Sequence, residues 1–350
     1  MPEDLVFASV DRTVSALEAR HEAHWIIAFS GGKDSTAALK IFLQAYNTAR
    51  VKPQRMTLIY CDTGVENPIL DSYVKSLLNH MRMEFAELAI PIEVRCLKAP
   101  PEDRFFVRLI GRGYPPPTNS FRWCTTGLRI RPVSRFIQAN DPDNTVVILG
   151  LRSSESQQRD RSLAKSNDKY WQKQREGKGD YDLFLPIVDM DVPAVWDTVF
   201  ALPLPKSIDP KKLEILYRDA SGECPVIKAP NAPPCASGRF GCWTCTVVRK
   251  DKSAMKLVDA GYEELQPFLD FRNWLADIRN DPERRWPVRR NGNAGLGPFT
   301  LSARYEILSR VDLLEAETGT EILDSDERGL IASLWEFDQV PRLSFPKRAS

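Results

Sequence analysis

Two groups of side chains in this chain have the types and spacing to do chemistry. The first is Ser30-Gly31-Gly32-Lys33-Asp34-Ser35. Two glycines let the backbone approach a ligand where a Cβ would obstruct it, Lys33 adds a cation, and Ser30 and Ser35 add hydroxyl donors. If this turn joins a strand to a helix, the free N–H groups and the positive end of the helix dipole aim at one point, which suits a phosphate. The second group is Cys224-x10-Cys235-x6-Cys242-x2-Cys245, in a stretch rich in Pro and Gly. Such a stretch forms no regular element and buries little apolar surface, so four thiolates around a metal are expected to hold it together. Zinc and an iron–sulfur cluster both suit soft ligands. Only Cys242 and Cys245 form a close pair, whereas a zinc ribbon usually has two; this favours a cubane, with Cys124 able to replace Cys224.

The elements that must position these groups follow from the apolar pattern. Residues 25–29 read as a buried strand and 36–44 as the helix after the turn. A Walker A loop is excluded because Ile27 and Asp34 stand where it needs Gly and Ser or Thr, and no G-x-G-x-x-G fingerprint is present. Further strands are expected at 56–62, 92–97, 146–151 and 183–188, with helices at 69–83 and 191–200. This alternation indicates an α/β fold with a doubly wound parallel sheet. Ligands in such sheets bind at the carboxyl ends of strands, which places Asp62 and Gly64 beside the phosphate turn. Residues 115–126 form a stiff loop before a basic helix with Arg129, Arg131 and Arg135. After Arg159 comes a polar insert of about twenty residues, too charged to be core.

Composition bounds the rest. The 350 residues suffice for one large α/β domain with an appendage or for two domains, and the division is expected at 1–202 and 203–350. A net charge of +1 gives no global electrostatic case for nucleic acid. No apolar run approaches a membrane span, and the acidic residues of the opening MPEDLVFASVDRTVSALEAR do not suit a leader peptide, so a cytoplasmic location without membrane contact is expected. Seven cysteines, an odd number, argue for metal or catalysis rather than disulfides. Residues 1–24 read as an amphipathic helix carrying Val10, Val14 and Leu17 on one face, with His21 and His24 in solvated or capping roles. Cys61 and Cys96 read as packing residues. Cys124, between arginines, is the candidate sulfur carrier because positive charge would favour its thiolate.

SGGKDS in a strand-to-helix setting resembles the PP-loop of the ATP pyrophosphatase superfamily, whose members cleave ATP between the α and β phosphates. DTG after the second strand, RWCTTGLRIRP, GLRSSESQQR and PIVDMDVPAVW resemble its PAPS-reductase branch, with an adenine nucleotide alpha hydrolase-like fold. That resemblance implies a nucleotide bordered by Ser30, Gly31, Gly32, Lys33, Asp34, Ser35, Asp62, Gly64, Gly150, Arg152, Glu155 and Arg159, with Lys33 and Asp34 catalytic beside Cys124. GCWTCTVVRKDKS and GLGPFTLSARYEIL further resemble the sulfurtransferase component of bacterial DNA phosphorothioate modification, of the DndC or the single-strand Ssp type. This implies ATP, Mg2+ and a [4Fe-4S] centre on Cys224, Cys235, Cys242 and Cys245, zinc being the alternative. It also implies DNA, a cysteine desulfurase and other phosphorothioation proteins as partners. A sulfonucleotide reductase, expected to use a C-terminal cysteine where here no cysteine follows Cys245, and a tRNA thiolase share these motifs, and a cluster-bearing nucleotide sensor without turnover is the non-enzymatic alternative. Residues 251–280 read as two helices, 280–297 as a loop with Arg284, Arg285, Arg289 and Arg290 around Trp286 that suits a nucleic acid as well as solvent, and 300–317 and 324–337 as closing helices.

Overall fold

The computed structural model describes residues 2–153, 168–173, 181–221 and 240–339. Helix α1 (Pro2–Ala19) leads into strand β1 (His24–Ala28), the PP-loop and helix α2 (Lys33–Thr48). Then come β2 (Arg55–Asp62), α3 (Pro68–Glu87), β3 (Ile92–Lys98), α4 (Arg131–Ala139), β4 (Thr145–Ile148), β5 (Trp171–Lys173), β6 (Asp182–Phe184), α5 (Val192–Ala201) and α6 (Pro210–Ser221). The chain closes with α7 (Lys252–Asp259), α8 (Gln266–Ile278), α9 (Leu301–Thr318) and α10 (Ser325–Gln339).

The sheet order is β3-β2-β1-β4-β6-β5, parallel throughout except for β5, which runs antiparallel to β6 at the edge. The direction of winding reverses between β1 and β4. That pair defines the crevice where open α/β sheets take ligands, beyond the carboxyl ends of the strands. The expected strands appear, and period-two alternation assigns their side chains to opposite faces. Trp25 and Ile27 of β1 point into a core shared with Leu17, Phe42, Val74, Phe184 and Val195, whereas Ile26 meets Ile59, Val147 and Ile137 on the other side. Helices therefore cover both faces, which is why the strands read as continuous apolar runs.

A second core lies outside the sheet. Phe105, Phe106, Trp123 and Leu128, from the segment between β3 and α4, pack with Trp243, Phe268, Phe271, Leu275, Phe299, Ile307 and Trp335 of the later chain. The segment 115–126 thus joins the helical core through Trp123, whose indole donates to the Pro115 carbonyl at 3.0 Å. A π-helical turn over Thr126–Ile130 connects it to α4.

Three sequence readings need correction. His24 is buried as the first residue of β1 and its Nε2 lies 2.8 Å from Thr57 Oγ1 of β2, so burial holds its pKa below the usual value. Its partner comes from the neighbouring strand, which sequence adjacency does not reveal. Cys96 is exposed on β3 rather than packed. The polar insert is not wholly outside the core either, because Tyr170 and Trp171 pack against it, and Trp171 meets Phe184 at 4.8 Å between ring centroids.

Candidate active site at the sheet switch point

Gly31, with φ of +74°, makes the turn after β1 possible; a Cβ there would also lie 2.1 Å from Val74 Cγ2. The turn is closed on itself by its serines. Ser35 Oγ accepts from the Ser30 N–H at 3.2 Å and donates to the Gly32 carbonyl at 2.9 Å, while the two hydroxyls lie 3.1 Å apart. Lys33 opens α2, and its N–H donates to the Tyr217 hydroxyl of α6 at 3.1 Å. The Lys33 ammonium pairs with Asp34 at 2.8 Å and stands over the Tyr217 ring, 5.1 Å from its centroid.

Across the switch point, Gly150 and Arg152 follow β4. A Cβ on Gly150 would lie 2.5 Å from the Asp34 carbonyl oxygen, so only glycine allows this backbone to meet the first turn of α2. Arg152 is buried, and its Nε donates to Asp34 Oδ1 at 2.5 Å. Asp34 thus lies between two cations. Burial raises its pKa, but Lys33 and Arg152 outweigh that and hold it below the ordinary aspartate value. Arg152 therefore faces the Ser30–Ser35 turn. Glu155 and Arg159 lie outside the described residues.

The β2 end is the second wall. Asp62 accepts from the Gly64 N–H at 2.9 Å and is flanked by Lys98 at 3.3 Å and Lys75 at 3.6 Å. Sequence reasoning missed both lysines: Lys98 is paired with Asp62 by the β2–β3 register, and Lys75 reaches it from α3. Glu66, three residues on from Thr63, was also missed. Its side chain is only 7% exposed, and that burial raises its pKa despite the Arg129 guanidinium 3.0 Å away.

Glu66 links this wall to the cysteines. It forms an isolated antiparallel bridge with Cys242, and the Trp243 N–H donates to the Val65 carbonyl at 3.0 Å. Cys242 Sγ lies 3.9 Å from both Glu66 Oε2 and Arg129 Nη2. Burial first, and Glu66 second, push its pKa up to about 12. Cys242 and Cys245 share a tight turn, the Cys245 N–H donating to the Cys242 carbonyl at 2.9 Å. The turn is fixed by a buried tryptophan, Trp243, set 5.0 Å from Phe268 and 5.6 Å from Phe271. This part of the Pro- and Gly-rich stretch does bury apolar surface, contrary to the reading of its composition.

Arg272 holds the segment that follows. It is 1% exposed and donates to the carbonyls of Cys245, Val248 and Arg249. Cys124 packs into the same core within electrostatic reach of Cys245, and burial and that neighbour raise its pKa. The expectation of a thiolate stabilised by arginines is therefore reversed: Trp123 draws the loop into the apolar core. Cys61 is half-buried with its pKa raised to about 11 by burial. Cys224 and Cys235 lie outside the described residues, and among the described residues no three His, Cys, Asp or Glu side chains are arranged to hold a metal.

In the arginine-rich loop, Arg284 pairs with Glu306 and Asp281. Arg285 is buried and donates to the carbonyls of Gly297, Arg279 and Leu296. Both arginines have structural partners, and Trp286 remains 54% exposed. Among the described residues no helix is long and apolar enough to cross a membrane.

Residues 24–247 match the phosphoadenosine phosphosulfate reductase domain, and the chain belongs to that family. The match takes in the PP-loop, the sheet and the turn between Cys242 and Cys245. A curated relative, an uncharacterized protein of Methanocaldococcus jannaschii, is 28% identical over 131 residues, 37% of this chain and 23% of its own length. The match thus spans about a quarter of that relative. Among solved structures, FMN adenylyltransferase of Candida glabrata with FMN and an ATP analogue is 11% identical, with a TM-score of 0.38, over 88% of this chain and 82% of that one. Phosphoadenylyl-sulfate reductase of Candida auris is 13% identical with a TM-score of 0.35, over 58% of this chain and 83% of its own.

Proposed function

We propose that this protein is an ATP-dependent sulfurtransferase acting in DNA backbone phosphorothioate modification. The observation that carries the reading is the arrangement at the switch point, where the PP-loop, Lys33 and buried Arg152 converge on Asp34, with the Cys242–Cys245 turn bridged to the adjoining wall. Backbone amides of the PP-loop, Lys33 and Arg152 would hold the triphosphate of ATP and, with Mg2+, neutralise charge on the departing pyrophosphate. A non-bridging oxygen of a DNA phosphate attacks the α-phosphorus, pyrophosphate leaves, and the DNA phosphate becomes AMP-linked. The terminal sulfur of a persulfide, supplied by a cysteine desulfurase, then attacks the DNA phosphorus and AMP leaves. A thiol reductant cleaves the remaining S–S bond to give the phosphorothioate.

Cys224, Cys235, Cys242 and Cys245 would hold a [4Fe-4S] cluster, with zinc as the alternative metal. What supports this set among the described residues is a pair of thiols in one tight turn, with the Arg129 guanidinium beside Cys242 and Cys124 near Cys245; burial and Glu66 act against the Cys242 thiolate. Such a centre supplies electron transfer or a structural clamp. Anaerobic purification with metal analysis tests it, about four irons per chain being the cubane's content and one zinc redirecting the chemistry.

Lys33→Ala should abolish pyrophosphate release while preserving the circular dichroism spectrum. Undiminished DNA-stimulated release in that variant would refute the assignment. The family match favours sulfonucleotide reduction as the second reading. Thiol-dependent sulfite formation from PAPS, with no pyrophosphate release from ATP, would put that reading first.

A further inference from the structure

We infer that Tyr217 is a displaceable plug in the anion site of the PP-loop, so that nucleotide entry requires its phenol to leave; the inference rests on the nucleotide reading above. The amide of Lys33 is the first of helix α2, where phosphate-binding turns present their donors. That N–H donates to the Tyr217 hydroxyl at 3.1 Å, and a Cβ on Gly32 would lie 2.9 Å from the same oxygen. The phenol oxygen therefore occupies the space that the glycine leaves open. It sits where a phosphate oxygen would accept that amide. The ring lies under the Lys33 ammonium, which also pairs with Asp34, so the lysine too is held by protein groups.

Tyr217 is also coupled to the cysteine segment. Its ring stands edge-on to Trp196 of α5 at 5.5 Å and to Phe240 at 5.1 Å, and Phe240 precedes Cys242 by two residues. Helix α6, which carries Tyr217, continues directly toward Cys224 in sequence. A rearrangement of the cysteine segment that moves Phe240 would change how firmly the plug is seated. Binding at the loop would act back on that segment to the same extent.

The test is calorimetric titration of the full chain, wild type and Tyr217→Phe, with inorganic pyrophosphate and separately with Mg2+ and ATP. Phenylalanine keeps the ring between Trp196 and Phe240 and removes only the competing hydroxyl. Loss of the bond from the Lys33 amide in the unliganded state should tighten binding roughly two- to tenfold. Tyr217→Ala should tighten it at least as much, with intact folding checked by circular dichroism. Equal affinities in wild type and Tyr217→Phe would remove the plug and leave the nucleotide site standing. Weaker binding by Tyr217→Phe would make the hydroxyl a ligand of the bound anion and overturn the plug as well. No binding by any of the folded proteins would remove the nucleotide reading itself.

Discussion

Replacing Asp34 with Asn asks how much of the unliganded fold depends on one carboxylate between two cations. Lys33 and Arg152 have side chains only 8% and 7% exposed, and both meet Asp34, itself 19% exposed. Removing its charge deprives two shielded cations of the carboxylate they share. Breaking a buried pair costs about 3–5 kcal/mol, and because Asn can still accept one hydrogen bond we place the loss on the order of 3 kcal/mol. In urea this lowers the midpoint by about 1–3 M at a slope of about 1–3 kcal/mol/M. The acid limb should change too. Asp34 has a folded pKa below its ordinary value of 3.8, so its contribution is complete above that value and is lost as pH falls through the folded pKa. Asp34→Asn should lack that component. Saturating pyrophosphate, a replacement anion for the two cations, should restore most of the loss, since a ligand at 100 times its Kd adds about 2.7 kcal/mol. A variant within about 0.5 kcal/mol of wild type without ligand would refute the electrostatic account, that being the scale of ordinary surface substitutions.

Gly150→Ala should drive a methyl into the backbone of Asp34 and Ser35, costing about 1–3 kcal/mol by overpacking and weakening pyrophosphate binding at least tenfold; thermal unfolding and calorimetry measure the two effects. Lys40 is 2% exposed, donates to the Leu202 carbonyl at 2.6 Å, and has its pKa pulled down by burial to about 8. Between about 8 and its unfolded value of 10.5 the unfolded chain binds the extra proton, so stability should rise with pH across that window, and Lys40→Met should flatten the rise in urea titrations. Arg272→Ala would leave three carbonyls after Cys242 without their donor, at a cost on the order of 3 kcal/mol, with faster hydrogen exchange confined first to 242–249.

Strands β1 to β4 and the SGGKDS turn were legible because each is specified locally, whereas β5 fell in the stretch read as a polar insert. Apolar runs bounded by turn residues set β1, β2, β3 and β4 to within a few residues at each end, and SGGKDS announces its turn. Arg152 could be placed beside the phosphate turn, but not its contact with Asp34, because that depends on which strand follows β1 in the sheet. Tyr217 gave no sequence signal: one tyrosine on an amphipathic helix reads as packing, and only the fold brings its hydroxyl across 184 positions to Lys33. Cys124 was misread because Arg122 is exposed and Arg129 turns to Glu66 and Cys242, while the adjacent Trp123 takes Cys124 into the core. Arg284 and Arg285 looked available for phosphates until carboxylates and carbonyls from α9 and the loop itself appeared beside them.

The ends of the sheet bear on how this protein behaves when crowded. One margin is β5, described over Trp171–Lys173, and the other is β3, where Glu93, Arg95 and Lys98 stand exposed between buried Ile92 and Val94 and half-buried Leu97. Charged side chains on an outer strand discourage a second chain from pairing there. Neutralising Glu93 and Arg95 together would therefore turn a tolerant margin into an adhesive one, visible as light scattering that grows with protein concentration while the monomer's own melting curve stays in place.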